Sequence, residues 1–107
     1  MKSINRFAIV VRLKEPYLVW ARSIDDGDPD PETCSVYLAD ADENEPPEDV
    51  LRRHFAEIFE EQLESWHLDT DRWPKVRTPA VFEQWFDARV VDLVFDLADE
   101  PIEHDEY

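Results

Sequence analysis

Glycine occurs once in this chain of 107 residues, and cysteine once. With one glycine, turns that demand a left-handed backbone have almost nowhere to form, so chain reversals fall to the eight prolines and to Asp and Asn. A single Cys34 permits no internal disulfide and gives no sign of an oxidising compartment. Long apolar runs are missing as well. The run Phe7-Ala8-Ile9-Val10-Val11 stops at Arg12, too short for a signal-peptide core and far too short to span a membrane. The cytoplasm is the expected location. Basic residues are scarce, 11 against 27 acidic ones, for a net charge of -16. Such a charge repels nucleic-acid phosphates and anionic lipid, so the expectation is no direct nucleic-acid binding, no membrane binding and a preference for a basic protein partner.

The charge is unevenly placed. Residues 25–32, 40–49 and 99–106 carry 16 of the 27 carboxylates and no Lys or Arg, which leaves 11 acids against 11 bases elsewhere. These stretches read as two loops and a tail around an electrically neutral body. An apolar fraction of 43 % with 13 aromatics supplies a core, and a chain this long buries roughly two-thirds of its unfolded surface. One domain over residues 1–98, followed by an acidic flexible tail over 99–107, is the expectation.

Periodicity assigns the elements. Residues 6–13 alternate with Phe7, Ile9, Val11 and Leu13 on one face, the period of a half-buried strand. Residues 17–24 place Leu18, Trp20 and Ile24 opposite Tyr17, Val19 and Ala21 and are expected to pair back as a hairpin strand. A third strand, Thr33 to Ala39, puts Cys34, Val36 and Leu38 on a shared face, where Cys34 reads as an inert small hydrophobe. From Pro47 the period becomes 3.6, and Val50, Leu51, Phe55, Ile58, Phe59, Leu63 and Trp66 form a helical stripe. Asp49 and Arg53 are spaced to pair on the opposite face. Thr78-Pro79 starts a second helix as N-cap and first-turn proline, and Val81, Phe82, Trp85 and Phe86 are its buried face. A last strand follows near Arg89, with Val91, Leu93, Phe95 and Leu97 turned inward. The expected fold is α+β: a two-layer sandwich in which a four-stranded, mainly antiparallel sheet, in the order βββααβ, is covered on one face by two helices.

No spacing calls for a metal or a cofactor, and none is assigned. Asp26, Asp28 and Asp30 open like a calcium loop, but the sixth and twelfth places hold Pro31 and Tyr37 where Gly and Glu are needed. His54, His67 and His104 do not form a zinc spacing, and no serine stands in a nucleophile elbow. The most suggestive constellation is Trp66, Trp73, Arg77, Trp85 and Phe86 around an irregular linker. It reads either as a plug between helices, with Arg77 stacked on an indole, or as the lip of a binding groove with aromatic and Arg anchors. Candidate partner-binding residues are therefore Trp73, Arg77 and Trp85, with Asp26, Asp28 and Asp30 as the attracting loop.

Tyr17-Leu18-Val19-Trp20, Val36-Tyr37-Leu38, Ile58-Phe59-Glu60 with Leu63 and Trp66, Asp69, Trp73-Pro74, Arg77-Thr78, Phe82 and Trp85-Phe86 together resemble a group of small acidic bacterial proteins of uncharacterised function. The similarity covers residues 16–97. It implies a bacterial cytoplasmic origin and brings no activity, cofactor or site with it. Two function classes are set against each other. The first is a non-catalytic interaction or regulatory module for a basic partner, with nucleic-acid mimicry as its sharper form. The second is a small enzyme using Glu60, Glu64, His67, Asp69 and Asp71 near the end of the long helix as metal ligands or acid/base groups.

Overall fold

A computed structural model describes residues 1–24, 27–40 and 42–105. The chain is α+β, with strands β1 (Lys2–Ser3), β2 (Phe7–Leu13), β3 (Cys34–Ala39), β4 (Phe86–Val91) and β5 (Phe95–Asp96), and helices α1 (Glu15–Ile24), α2 (Pro47–Trp66) and α3 (Pro79–Trp85). A single 3-10 turn, Thr70–Arg72, interrupts the linker between α2 and α3. The order is ββαβααββ, and there are two antiparallel sheets among the described residues, β3-β2-β4 and β1-β5, in place of one four-stranded sheet.

The hairpin expected over 17–24 is the helix α1. Pro16 carries a φ already suited to a first helical turn, and Lys14 accepts the first backbone bonds, from Tyr17 N at 3.1 Å and Leu18 N at 3.3 Å. Tyr17, Leu18 and Ala21 are its buried residues, a helical i, i+1, i+4 face. The alternating pattern that suggested a strand came from residues with high β propensity, which tertiary packing overrides.

The long helix α2 and the Thr78 cap of α3 follow the expectation, with Val81 N donating to Thr78 Oγ1 at 3.3 Å. Arg53, however, pairs with Glu45 at 2.9 Å and donates to the Asp40 carbonyl at 2.8 Å, so it ties Asp40 and Glu45, which precede α2, to that helix and does not pair with Asp49, which lies in its first turn. The chain passes from α3 to β4 without a turn, since Phe86 both caps the helix and opens the strand.

The sheet register explains which apolar residues are buried. Ile9 faces Tyr37 and Val90, and Val11 faces Ser35 and Ala88, so Ile9, Val11, Ala39 and Phe86 meet Tyr17, Leu18, Ala21, Val50, Ile58, Phe59, Leu63 and Phe82 in one core. The alternate residues point to the other face. Val36 and Leu38, expected in the core, are 59 % and 49 % exposed, and Cys34 beside them is exposed too. Leu93 and Phe95 are also exposed, because the β4 ladder ends at Val91 and the chain then enters the small β1–β5 ribbon. Residues 99–105 carry no helix or strand and are exposed. No helix among the described residues is long and apolar enough to cross a membrane.

A polar seam runs through this core. The Tyr17 hydroxyl donates to the Gln62 carbonyl at 2.8 Å, the Gln62 amide donates to Tyr37 Oη at 2.7 Å and Ser35 Oγ at 3.1 Å, and Tyr37 donates to Glu61 at 2.6 Å. No buried side-chain N or O among the described residues lacks a partner, as a buried polar network requires. Burial raises both phenol pKa values, and at Tyr37 the hydrogen bond to Glu61 and that carboxylate's charge add to the effect. The unfolded chain releases these protons near pH ~10 while the folded chain holds them. Stability is therefore expected to fall as pH rises above about 10, and Tyr37→Phe should flatten that fall. Denaturant titrations at pH values on either side check it; equal pH dependence in the variant would contradict it.

Candidate binding site

Three elements and a linker converge on an aromatic cleft. From α1 come Glu15, Pro16, Val19 and Trp20; from the 3-10 turn and linker come Arg72, Trp73 and Pro74; from the end of α3 comes Trp85. The cleft is shallow and wide open to solvent, about 510 Å³, and almost wholly apolar in lining. The physical reason it exists is that α1 is a helix. As a strand, residues 17–24 would have lain in the sheet; as a helix, they set Trp20 against Trp85 at 6.0 Å and Tyr17 at 5.4 Å between ring centres. Behind them Phe59 lies 5.7 Å from Trp85, so the wall is backed by the core.

Hydrogen bonds hold the lip in place. Trp20 Nε1 donates to the Arg72 carbonyl at 2.8 Å, Trp73 Nε1 to the His67 carbonyl at 2.8 Å, and Trp66 Nε1 to the Ala21 carbonyl at 3.0 Å. Trp85 Nε1 alone among these indoles donates to no acceptor among the described residues. A half-buried indole on the wall of an apolar cleft offers a stacking surface to a ligand.

The structure brings together two of the residues singled out from sequence, Trp73 and Trp85, and adds Trp20, Val19, Pro16 and Pro74. Arg77 does not line the cleft. Its guanidinium sits 5.9 Å from the Trp73 ring centre, donates to the Pro74 carbonyl at 2.8 Å and reaches Glu60 at 3.8 Å, which makes it a brace behind the lip. Asp28 is exposed and meets Arg22 at 3.4 Å, and Arg22 also meets Glu15 on the cleft rim at 3.6 Å. Asp30 is exposed and accepts from Glu32 N at 2.9 Å. Asp26 lies outside the described residues. Trp20 is not among the residues singled out from sequence, because the strand expected over 17–24 places it in a sheet. The signal for it was the spacing of Tyr17, Ala21 and Ile24 after Pro16.

The carboxylates proposed for catalysis have separate duties. Glu60 pairs with Arg77, Asp69 caps the 3-10 turn through Asp71 N at 3.0 Å, and Glu64 and Asp71 are exposed. Among the described residues no group of three or more His, Cys, Asp or Glu is placed to hold a metal ion. Calorimetry with zinc or calcium at physiological salt is expected to show no tight one-to-one binding; a stoichiometric site of micromolar or better affinity would overturn this. No family model, curated protein or solved structure matches the chain.

Proposed function

We propose that the protein is a non-catalytic interaction module that binds a basic partner through the Trp20–Trp73–Trp85 cleft. The observation that carries the reading is the cleft itself: three indoles and two prolines around an open apolar hollow on a chain of net charge -16. Bare aromatic surface of this kind is costly to expose and useful as an anchor. The acidic loop around Asp28 and Asp30 acts earlier, drawing in positive charge over a distance set by salt.

On this reading the ligand is an extended segment, since indoles and prolines line the hollow. A segment rich in proline and in Lys or Arg has a rigid backbone with unsatisfied carbonyls, stacks its rings on indoles and can donate N–H hydrogen bonds to Glu15 in exchange for the Arg22 contact. Titrating a Lys/Pro-rich peptide while recording tryptophan fluorescence is the test. Saturable quenching at low salt, weakened at high salt and lost in Val19→Lys, is the expected result. Val19 is 55 % exposed, so that change alters the cleft and not the core. Binding that persists unchanged in Val19→Lys would remove the cleft from the reading. Absence of saturable quenching for this peptide at any salt would sink the basic, proline-rich assignment.

A further inference from the structure

We infer that the open face of the β3-β2-β4 sheet is a self-association surface, covered by the β1–β5 ribbon and following tail of a second copy. Three observations meet here, none of which involves the aromatic cleft. The first is composition. Strands covered on one side only alternate apolar and polar residues, yet β2 reads Phe7-Ala8-Ile9-Val10-Val11, the near-continuous run of a strand buried on both faces. Its second face, with Ala8 and Val10 between Leu38, Val36 and Val91, has no helix among the core residues packed on it, and Val36, Leu38 and Val91 are 59 %, 49 % and 39 % exposed.

The second observation is the ribbon. It prolongs the β2 and β4 strands beyond a break at residues 4–6 and 92–94, where Ile4 N donates to the Val94 carbonyl at 2.9 Å. Two strands of two residues each cannot hold themselves together in water, since an isolated hairpin is marginal even when longer. Yet this ribbon and tail expose Met1 (81 %), Leu93 (69 %), Phe95 (53 %), Leu97 (79 %) and Ile102 (51 %). Ribbon and sheet face together hold eight of the eleven large hydrophobics that are exposed among the described residues, the others being Val19, Leu68 and Val76. The radius of gyration, 15.3 Å, exceeds the about 13 Å of a compact chain this long, as expected of a body with projecting parts.

The third is charge. The open face carries Arg12 and Arg89 against Asp87, a net positive patch on a strongly acidic chain. From residue 92 to 105 the β5 half of the ribbon and the tail carry Asp92, Asp96, Asp99, Glu100, Glu103 and Asp105 without a Lys or Arg, and the β1 half adds Lys2 opposite Asp96, which leaves the whole acidic. An acidic, apolar segment therefore faces a basic, apolar surface. A two-fold contact lets each copy supply both halves.

Sedimentation equilibrium of the full chain from about 1 μM to about 1 mM tests this, with labelling of the Cys34 thiol on the same face as a second readout. The expected result is a monomer–dimer equilibrium in which Cys34 labelling slows at least several-fold as dimer forms. Phe95→Ser with Leu97→Ser, on the ribbon, and Leu38→Asp, on the face, are each expected to be monomeric while keeping the native denaturation midpoint to within a small shift. Mixed together, the two variants should recover a weaker heterodimer, because one intact ribbon meets one intact face. A monomer at all concentrations would overturn the inference, as would slow labelling independent of concentration, which would place the tail on its own sheet. A dimer unaffected by the ribbon variant would overturn it by assigning the contact to another surface.

Discussion

Phe59→Ala is expected to lower folding stability by about 3–5 kcal/mol, the range for removing a fully buried aromatic side chain. Phe59 is 0 % exposed and lies 5.2, 5.7 and 5.9 Å from the ring centres of Phe86, Trp85 and Phe82. It is the point at which α2 meets α3 and β4, so the void left by alanine borders three elements that cannot all collapse into it. Since a small domain has only about 5–15 kcal/mol to lose, the variant should sit close to its unfolding threshold. A shift of the denaturant transition worth less than about 1 kcal/mol would mean that the α2 face is assigned wrongly. The same cavity loosens the wall behind Trp85, so any residual folded variant should also bind more weakly at the cleft.

The second large effect is expected in binding. Trp73→Ala should weaken the complex with a basic, proline-rich peptide by at least about 30-fold, chiefly through faster dissociation, as for a desolvated aromatic anchor worth about 2 kcal/mol or more. Asp28→Asn with Asp30→Asn should instead slow association and flatten its salt dependence, since exposed rim charges act on encounter. Arg77→Ala separates support from contact. The cation-π contact with Trp73, the bond to the Pro74 carbonyl and the exposed pair with Glu60 together argue for a loss of stability of about 1–2 kcal/mol. Its effect on binding should come only through a less ordered lip. Stopped-flow kinetics distinguish the three. If Trp73→Ala leaves dissociation unchanged, the indole is a plug and the cleft is packing.

The sequence by itself determined the elements whose signal is local and repeated. The α2 stripe from Val50 to Trp66 spans many turns, Thr78-Pro79 is a complete helix start, and the alternation of residues 7–13 lies within one strand. The uneven placement of carboxylates and the tryptophan-rich linker were also legible, because both are facts of composition. What only the tertiary structure decided were choices between two local solutions of similar energy. Residues 15–24 suit a strand by propensity and a helix by the spacing of Tyr17, Leu18 and Ala21, and packing of that face on Phe86 and the α2 side chains selects the helix. The face of β3 was likewise open. Both Cys34-Val36-Leu38 and Ser35-Tyr37-Ala39 alternate correctly, and the antiparallel register, secured where Tyr37 meets Glu61 and Gln62, buries the second set. The cleft depends on the first of these choices, the open sheet face on the second. Neither could be read from one segment, because each is settled by partners 24 to 45 residues away in the chain.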